Sequence, residues 1–167
     1  MIYMGIDGST TSTGISVFDD EKLLYYDCIK PRSKDWQERL VVLTNEIHKV
    51  FRMYKINMVY MEDVPLKDGK ITIKKLSAVR GVIFALCALE GIEFNAISVS
   101  DWRNNAGFYG NGKENLKRDK MKERAIEEVK ELFDIDVNDD IAESILIAYR
   151  TRYQKPPKFG RRMKGGN

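Results

Sequence analysis

The chain has 167 residues, a net charge of +3, 43% hydrophobic residues and 32% charged residues, a composition typical of a globular protein. This length favours one domain with a full core. No apolar run approaches the roughly 18 residues needed to cross a bilayer, and the N-terminus lacks the pattern of a signal peptide. The two cysteines, Cys28 and Cys87, lie in apolar stretches, so we predict reduced core thiols in a cytoplasmic protein.

Three short strands open the chain. They are predicted at residues 2–7, 14–18 and 22–29, and the turns between them indicate an antiparallel meander. A helix follows through about Tyr54, and Asp35 with the glutamate three residues later resembles a capping box at its start.

Helices and strands alternate over the rest of the chain, which predicts an α/β domain with a mixed five-stranded central sheet flanked by helices. The predicted elements are a strand at 57–62, a long helix ending near 89, a strand at 93–99, a loop from 100 to 113, and helices at 116–133 and 139–152. The long helix is apolar on almost every side over residues 78–89. Such a helix must be covered all round, either within the monomer or by a homodimer.

Charge is distributed unevenly along the chain. The last 19 residues hold seven basic and no acidic residues, which leaves 21 basic against 25 acidic residues in the first 148. We predict a domain over residues 1–153 and a basic, mobile tail over residues 154–167. The tail is either a solvated terminus or an arm that binds phosphate.

Acidic residues occupy three places that a buried core would not favour. Asp7 ends the first strand, Glu62 ends the fourth, and Asp140 and Glu143 lie three positions apart on one face of the last helix. Converging carboxylates repel one another, but hard cations such as Mg²⁺ bind oxygen ligands, and a pair of such ions can hydrolyse phosphodiesters. The single histidine, His48, lies within a helix, which argues against His-ligated zinc.

Ordinary structural roles compete with this interpretation. A lone acidic residue at a strand end usually belongs to a turn, and an acidic helix pair usually faces solvent. We assign Asp63 to this class because it alternates away from Glu62, and Asp139 because it suits a helix N-cap. The joint pattern of two strand ends and one helix face favours a metal site for the other four residues.

These stretches resemble the RuvC family of Holliday junction resolvases, within the retroviral-integrase and RNase H-like fold. The resemblance rests on GIDGSTTSTG, MEDV, KKLSAVRGV and DIAESILIA, and spans about residues 2–149. It implies a homodimer, joined through the helix at 79–89, that nicks two strands of a four-way DNA junction symmetrically. The chain looks most similar to the bacteriophage-encoded branch, which implies the cytoplasm of a bacterium or a phage-infected bacterial cell.

The resemblance also implies site residues and cofactors. It gives two Mg²⁺ ions per active site, with Mn²⁺ as a substitute, and a catalytic set of Asp7, Glu62, Asp140, Glu143 and Lys120, of which the four acids bind metal. Lys120 would lie near the scissile phosphate and neutralise charge in the transition state. The alternative, that Lys120 is an ordinary solvated lysine on a helix, stays open with equal weight. The chain differs from the family pattern at two positions. Glu143 stands where the family usually has aspartate, and Pro65 stands where bacterial members have an aromatic residue that contacts the junction.

Two basic clusters flank the predicted site and would contact DNA phosphates. The first comprises Lys67, Lys70, Lys74, Lys75 and Arg80, and the second comprises Lys113, Lys117, Arg118, Lys120, Lys122 and Arg124. Trp102, Phe108 and Tyr109 lie in the predicted loop between them. These aromatics could stack on unpaired bases or cover the core.

The combined interpretation is a metal-dependent endonuclease that resolves Holliday junctions and other branched DNA. One alternative is a related RNase H-like nuclease acting on forks or RNA–DNA hybrids, and another is a non-catalytic relative that binds branched DNA. A third is a sugar kinase or actin-like ATP-binding domain, because GIDGSTTSTGISVFD also resembles a phosphate-binding hairpin. That third alternative requires a second domain, for which the chain has no room.

Overall fold

A computed structural model describes residues 1–65, 69–105 and 118–152, without the side chains of residues 104, 105 and 118. Its elements are β1 (Ile2–Asp7), β2 (Thr13–Asp19), β3 (Lys22–Ile29), α1 (Trp36–Tyr54), β4 (Met58–Glu62), α2 (Lys70–Glu90), β5 (Glu93–Ile97), α3 (Val99–Asn105), α4 (Arg118–Phe133) and α5 (Asp139–Thr151). Outside the described residues lie the predictions made for Lys67, Phe108, Tyr109, Lys113, Lys117 and the basic tail.

The five strands form one mixed sheet in the order β3-β2-β1-β4-β5. The first three pair antiparallel as the predicted meander, whereas β4 pairs parallel with both β1 and β5. Ile6 lies opposite Met61, so the next residues, Asp7 and Glu62, end neighbouring strands at one side of the sheet. We call this side the Asp7 edge. The predicted α/β fold is confirmed.

The core has two layers, one on each face of the sheet. Alternation along β1 turns Met4 and Ile6 towards α1 and α2, where they pack with residues such as Ile47 and Ile83. Tyr3 faces the opposite layer, formed with α4 and α5. Because side chains alternate, Asp7 and Glu62 lie on the α5 face with Tyr3 and Tyr60.

Helix α5 lies directly on the sheet because two strand residues beneath it are glycines. A Cβ atom on Gly5 would lie 2.1 Å from the carbonyl oxygen of Ser144, and one on Gly14 would lie 1.8 Å from that of Asp140. The Ser16 hydroxyl also donates to the Ser144 carbonyl at 2.9 Å. These contacts fix the position of α5 and bring Asp140 to the Asp7 edge.

The largest difference from the predicted elements is α3. The sequence pattern predicts a strand to residue 99 and a following loop, but β5 ends at Ile97 and a short helix begins at Val99. The Ser98 hydroxyl accepts a hydrogen bond from the Asp101 amide at 3.1 Å, which satisfies a first-turn donor as a helix cap does.

Asn138, rather than the predicted Asp139, caps α5. The Asn138 side chain accepts a hydrogen bond from the Ile141 amide at 2.9 Å. Asp139 instead pairs with Lys122 of α4, and this contact lowers the pKa of the Asp139 carboxyl. The two residues therefore divide the roles of cap and ion-pair partner.

The cysteines differ from each other. Cys87 is fully buried, as predicted, and its burial raises the pKa of the thiol to about 12. Cys28 is only half-buried, so the prediction of a core thiol is wrong there, because β3 is an edge strand of the sheet. Across the described ranges, no helix combines the length and the apolar character needed to cross a membrane.

Candidate active site

Four carboxylates from three elements meet at the Asp7 edge. Asp7 and Glu62 arrive on adjacent strand ends, and Asp140 and Glu143 arrive on the first turns of α5. The charges of Glu143, Glu62 and Asp140 all act on Asp7. The structure therefore brings together side chains that are up to 136 positions apart in the sequence.

Burial and mutual repulsion alter the protonation of this cluster. The pKa of Asp7 lies well above its ordinary value of 3.8, first because of burial and then because of the charge of Glu143. Burial also raises the pKa of Glu143, against the opposing effects of the Arg103 charge and a hydrogen bond with Asp7. The pair therefore retains a proton more readily than two exposed carboxyl groups would.

The cluster has the chemistry of a site for a hard divalent cation. Its donors are carboxylate oxygens, and a cation would relieve the repulsion that adds to burial in raising the pKa of Asp7. Within the described ranges, no three Asp, Glu, His or Cys side chains are grouped closely enough to enclose an ion on their own. Mg²⁺ suits such an arrangement because it keeps several waters and completes its shell with substrate phosphate.

The loop at residues 8–12 is tied to the site by polar contacts. Arg39 of α1 is buried, and its Nε donates to the carbonyl oxygen of Thr10 at 2.9 Å. The Ser12 hydroxyl donates to Asp140 Oδ2. The polar residues of this loop thus position a carboxylate of α5, a role that the sequence analysis missed.

Helix α3 supplies two further contacts that the sequence analysis missed. The indole Nε1 of Trp102 donates to Glu62 Oε2 at 2.9 Å. The guanidinium of Arg103 lies 3.6 Å from Glu143 Oε1, measured from Nη2. The available signal was the serine at position 98, which marks the start of a helix rather than a loop.

The lysines of α4 differ in their relation to the site. Lys120 is exposed, and its place near a phosphate stays a prediction. Lys122 pairs with Asp139, and its positive charge also lowers the pKa of Glu143. The structure therefore identifies Lys122 as an α4 lysine whose charge acts on the carboxylate cluster.

Basic residues occupy the first turns of α2, which begins eight residues after Glu62. Lys70 and Lys74 are exposed on the first turns of the helix, which follows the strand that ends at Glu62. The Lys74 ammonium lies 5.9 Å from the ring centroid of Trp36 at the start of α1. Arg80 pairs with Asp63 at 3.3 Å, which agrees with the predicted alternation of Asp63 away from Glu62.

Comparison with known proteins identifies the family. A family model described as "Crossover junction endodeoxyribonuclease RuvC" matches residues 3–149. The chain belongs to the RuvC family. A curated RuvC relative from Aliarcobacter butzleri (strain RM4018) is 28% identical over 155 residues, which cover 90% of this chain and 99% of the relative. The chain is thus a crossover junction endodeoxyribonuclease, not the ATP-binding domain considered as an alternative, and RuvC enzymes depend on divalent metal ions.

Solved structures show the same fold. Thermus thermophilus RuvC in complex with a Holliday junction substrate superposes with a TM-score of 0.73 at 16% identity, covering 90% of this chain and 92% of that chain. The Fowlpox virus resolvase, solved with substrate Holliday junction DNA, gives 0.59 at 17% identity, covering 93% and 100%. The RuvC-family fold thus extends over nearly the whole chain.

Proposed function

We propose that this protein resolves four-way DNA junctions by paired nicks and acts on other branched DNA, with two Mg²⁺ ions per active site that Mn²⁺ can replace. The observation that carries this proposal is the convergence of four carboxylates on one sheet edge, where burial and the charges of the other three raise the pKa of Asp7. The solved relatives from Thermus thermophilus and Fowlpox virus hold Holliday junction DNA. The proposed metal ligands are Asp7, Glu62, Asp140 and Glu143.

The protein side chains would orient the site and balance its charge. Divalent ions bound there would stabilise charge on the attacking and leaving oxygens. Asp7 interacts with all three other acids, so it is the central ligand of the proposed set. The charges of Arg103 and Lys122 lower the pKa of Glu143, and both cations would face phosphate when DNA fills the site.

DNA would lie across the Asp7 edge between two basic surfaces. The first surface is the N-terminal half of α2, and the second includes the start of α4. The proposed DNA contacts are Lys70, Lys74, Lys75, Arg80, Lys113, Lys117, Arg118 and Lys120. Because Pro65 is not aromatic, the base-wedging role of the bacterial members of the family is not carried over to this position. We place this activity in the bacterial cytoplasm, where such DNA arises.

We infer a homodimer through α2. In the described structure this helix buries Val79, Ile83 and Cys87, whereas the side chain of Leu89 is 83% exposed. Leu89→Asp is expected to halve the mass measured by sedimentation velocity, because a charge would replace buried apolar surface. The matched control is Val41→Asp on α1, where the native residue is 61% exposed. A parent protein that sediments as a monomer would contradict the inference.

Side-by-side cleavage tests the proposed substrate. A labelled four-way junction, a fork, an RNA–DNA hybrid and a linear duplex are incubated with the protein in Mg²⁺, Mn²⁺ or EDTA. We expect paired nicks in the junction with either metal and no cleavage in EDTA. Faster cleavage of the hybrid or the fork would favour the related nuclease, and binding without metal-dependent cleavage would favour the non-catalytic alternative.

A further inference from the structure

Trp102 has a buried ring and a single polar atom. Its side chain is 0% exposed and packs with Tyr60, Ala125, Val129 and Ala142 between α3, α4 and α5. A ring with no exposed face cannot stack on a base, so Trp102 covers the core. An indole offers one N–H donor and no acceptor, and a buried donor requires a partner.

The partner of this donor is Glu62, one of the four site carboxylates. Glu62 lies opposite Ile97 in the parallel pairing of β4 with β5. Helix α3 begins two residues after Ile97 and carries Trp102 to the side of Glu62, where Nε1 lies 2.9 Å from Oε2. A rigid, packed ring therefore fixes one oxygen of the carboxylate.

The next residue strengthens this arrangement. The guanidinium carbon of Arg103 lies 5.1 Å from the centroid of the Trp102 ring, and the same guanidinium pairs with Glu143. Its buried Nε finds no hydrogen-bond partner among the described residues, so stacking and the ion pair are what hold it. Two consecutive residues of α3 thus contact one carboxylate from β4 and one from α5.

We propose that Trp102 is a positioning residue that holds Glu62 in the orientation in which it binds a divalent cation. This inference rests on the metal site proposed above. A charge-assisted hydrogen bond from a donor locked by packing orients a ligand without further loss of side-chain entropy. Loss of such a partner typically lowers metal affinity by about 10–100-fold.

The test is Trp102→Phe, which keeps an aromatic ring and removes the donor. Mn²⁺ binding to the full chain without DNA is measured by isothermal titration calorimetry. The expected Kd for Mn²⁺ rises by about 10–100-fold, whereas junction affinity in EDTA stays unchanged and cleavage recovers at high Mn²⁺. Trp36→Phe, which replaces the other tryptophan of the chain, is the matched control and should bind Mn²⁺ like the parent.

The melting temperature in EDTA shows whether Trp102→Phe is folded. If it is not, benzothienylalanine at position 102 replaces the N–H by sulfur at nearly constant shape, and the same Kd is measured. A folded variant that binds Mn²⁺ as tightly as the parent overturns the role of Trp102 and leaves the proposed metal site intact. A parent protein that binds no Mn²⁺ overturns the metal site itself.

Discussion

Asp7→Asn is expected to lower cleavage of a four-way junction by about 10³-fold, the upper range for removal of one group that stabilises transition-state charge. Asn has nearly the same shape, but it replaces an anionic oxygen that would bind a cation with an NH₂ donor. Asp7 is the carboxylate on which the charges of Glu143, Glu62 and Asp140 converge, so its loss affects the whole cluster. Single-turnover cleavage in Mg²⁺ measures the effect, and fluorescence anisotropy in EDTA should show unchanged junction binding.

Asp7→Asn should lower activity, but it should raise the stability of the metal-free protein at pH 8. Because the pKa of Asp7 is raised in the folded state, the metal-free parent binds more protons when folded than when unfolded. Its stability therefore falls as pH rises from about 4 through the raised pKa. Asp7→Asn removes the carboxyl group that causes this loss of stability. The variant should therefore melt at a higher temperature than the parent at pH 8 in EDTA. Mg²⁺ should raise the melting temperature of the parent and not that of the variant.

Asp139→Asn is the matched control for this pH dependence. The contact with Lys122 lowers the pKa of Asp139, so its contribution to stability is present above the ordinary carboxyl pKa and is lost as pH falls through the lowered value. Removing that carboxylate should lower the melting temperature at pH 8, the opposite of the change expected at position 7. If Asp7→Asn destabilised the metal-free protein at pH 8 as Asp139→Asn does, the pKa of Asp7 would not be raised by burial and by the charges of the cluster as described.

The sequence predicts the four carboxylates well because local rules place them. Strand ends put Asp7 and Glu62 at sheet edges, and helical periodicity puts Asp140 and Glu143 on one face. The two strand ends lie side by side only because β1 pairs parallel with β4, and the α/β order of elements favours this pairing. The catalytic roles of these residues remain a prediction that the variants above test.

The hydrogen bonds around the carboxylates could not be predicted in the same way. Ser12 reaches Asp140 from a loop, and Trp102 reaches Glu62 from a helix that the sequence analysis treated as a loop. Both contacts depend on how closely two elements approach, which periodicity does not specify. The glycines of β1 and β2 allow a helix to approach the sheet closely, but this role can be recognised only once the helix that packs on them is known.

Gly14→Ala is expected to displace the start of α5. The added Cβ would lie 1.8 Å from the carbonyl oxygen of Asp140 and 2.9 Å from the amide nitrogen of Ile141, whereas Cβ contacts under 3.0 Å essentially never occur. These atoms belong to the backbone, so no side-chain rotation relieves the clash. Overpacking of this kind costs about 3 kcal/mol or more, which corresponds to a fall in melting temperature of about 6–12 °C.

Gly14→Ala should also weaken metal binding, because Asp140 and Glu143 would move with α5. A displacement near 1 Å in a catalytic site can cost about 10²-fold in rate. The control is Gly69→Ala, which precedes α2 and lies outside the helix inferred to form the dimer; an added Cβ there meets nothing within 4 Å, and the backbone φ of −63° suits alanine. If Gly14→Ala matched Gly69→Ala in melting temperature and in Mn²⁺ affinity, α5 would not lie against β2 as described, and the placement of its two carboxylates beside Asp7 would fail with it.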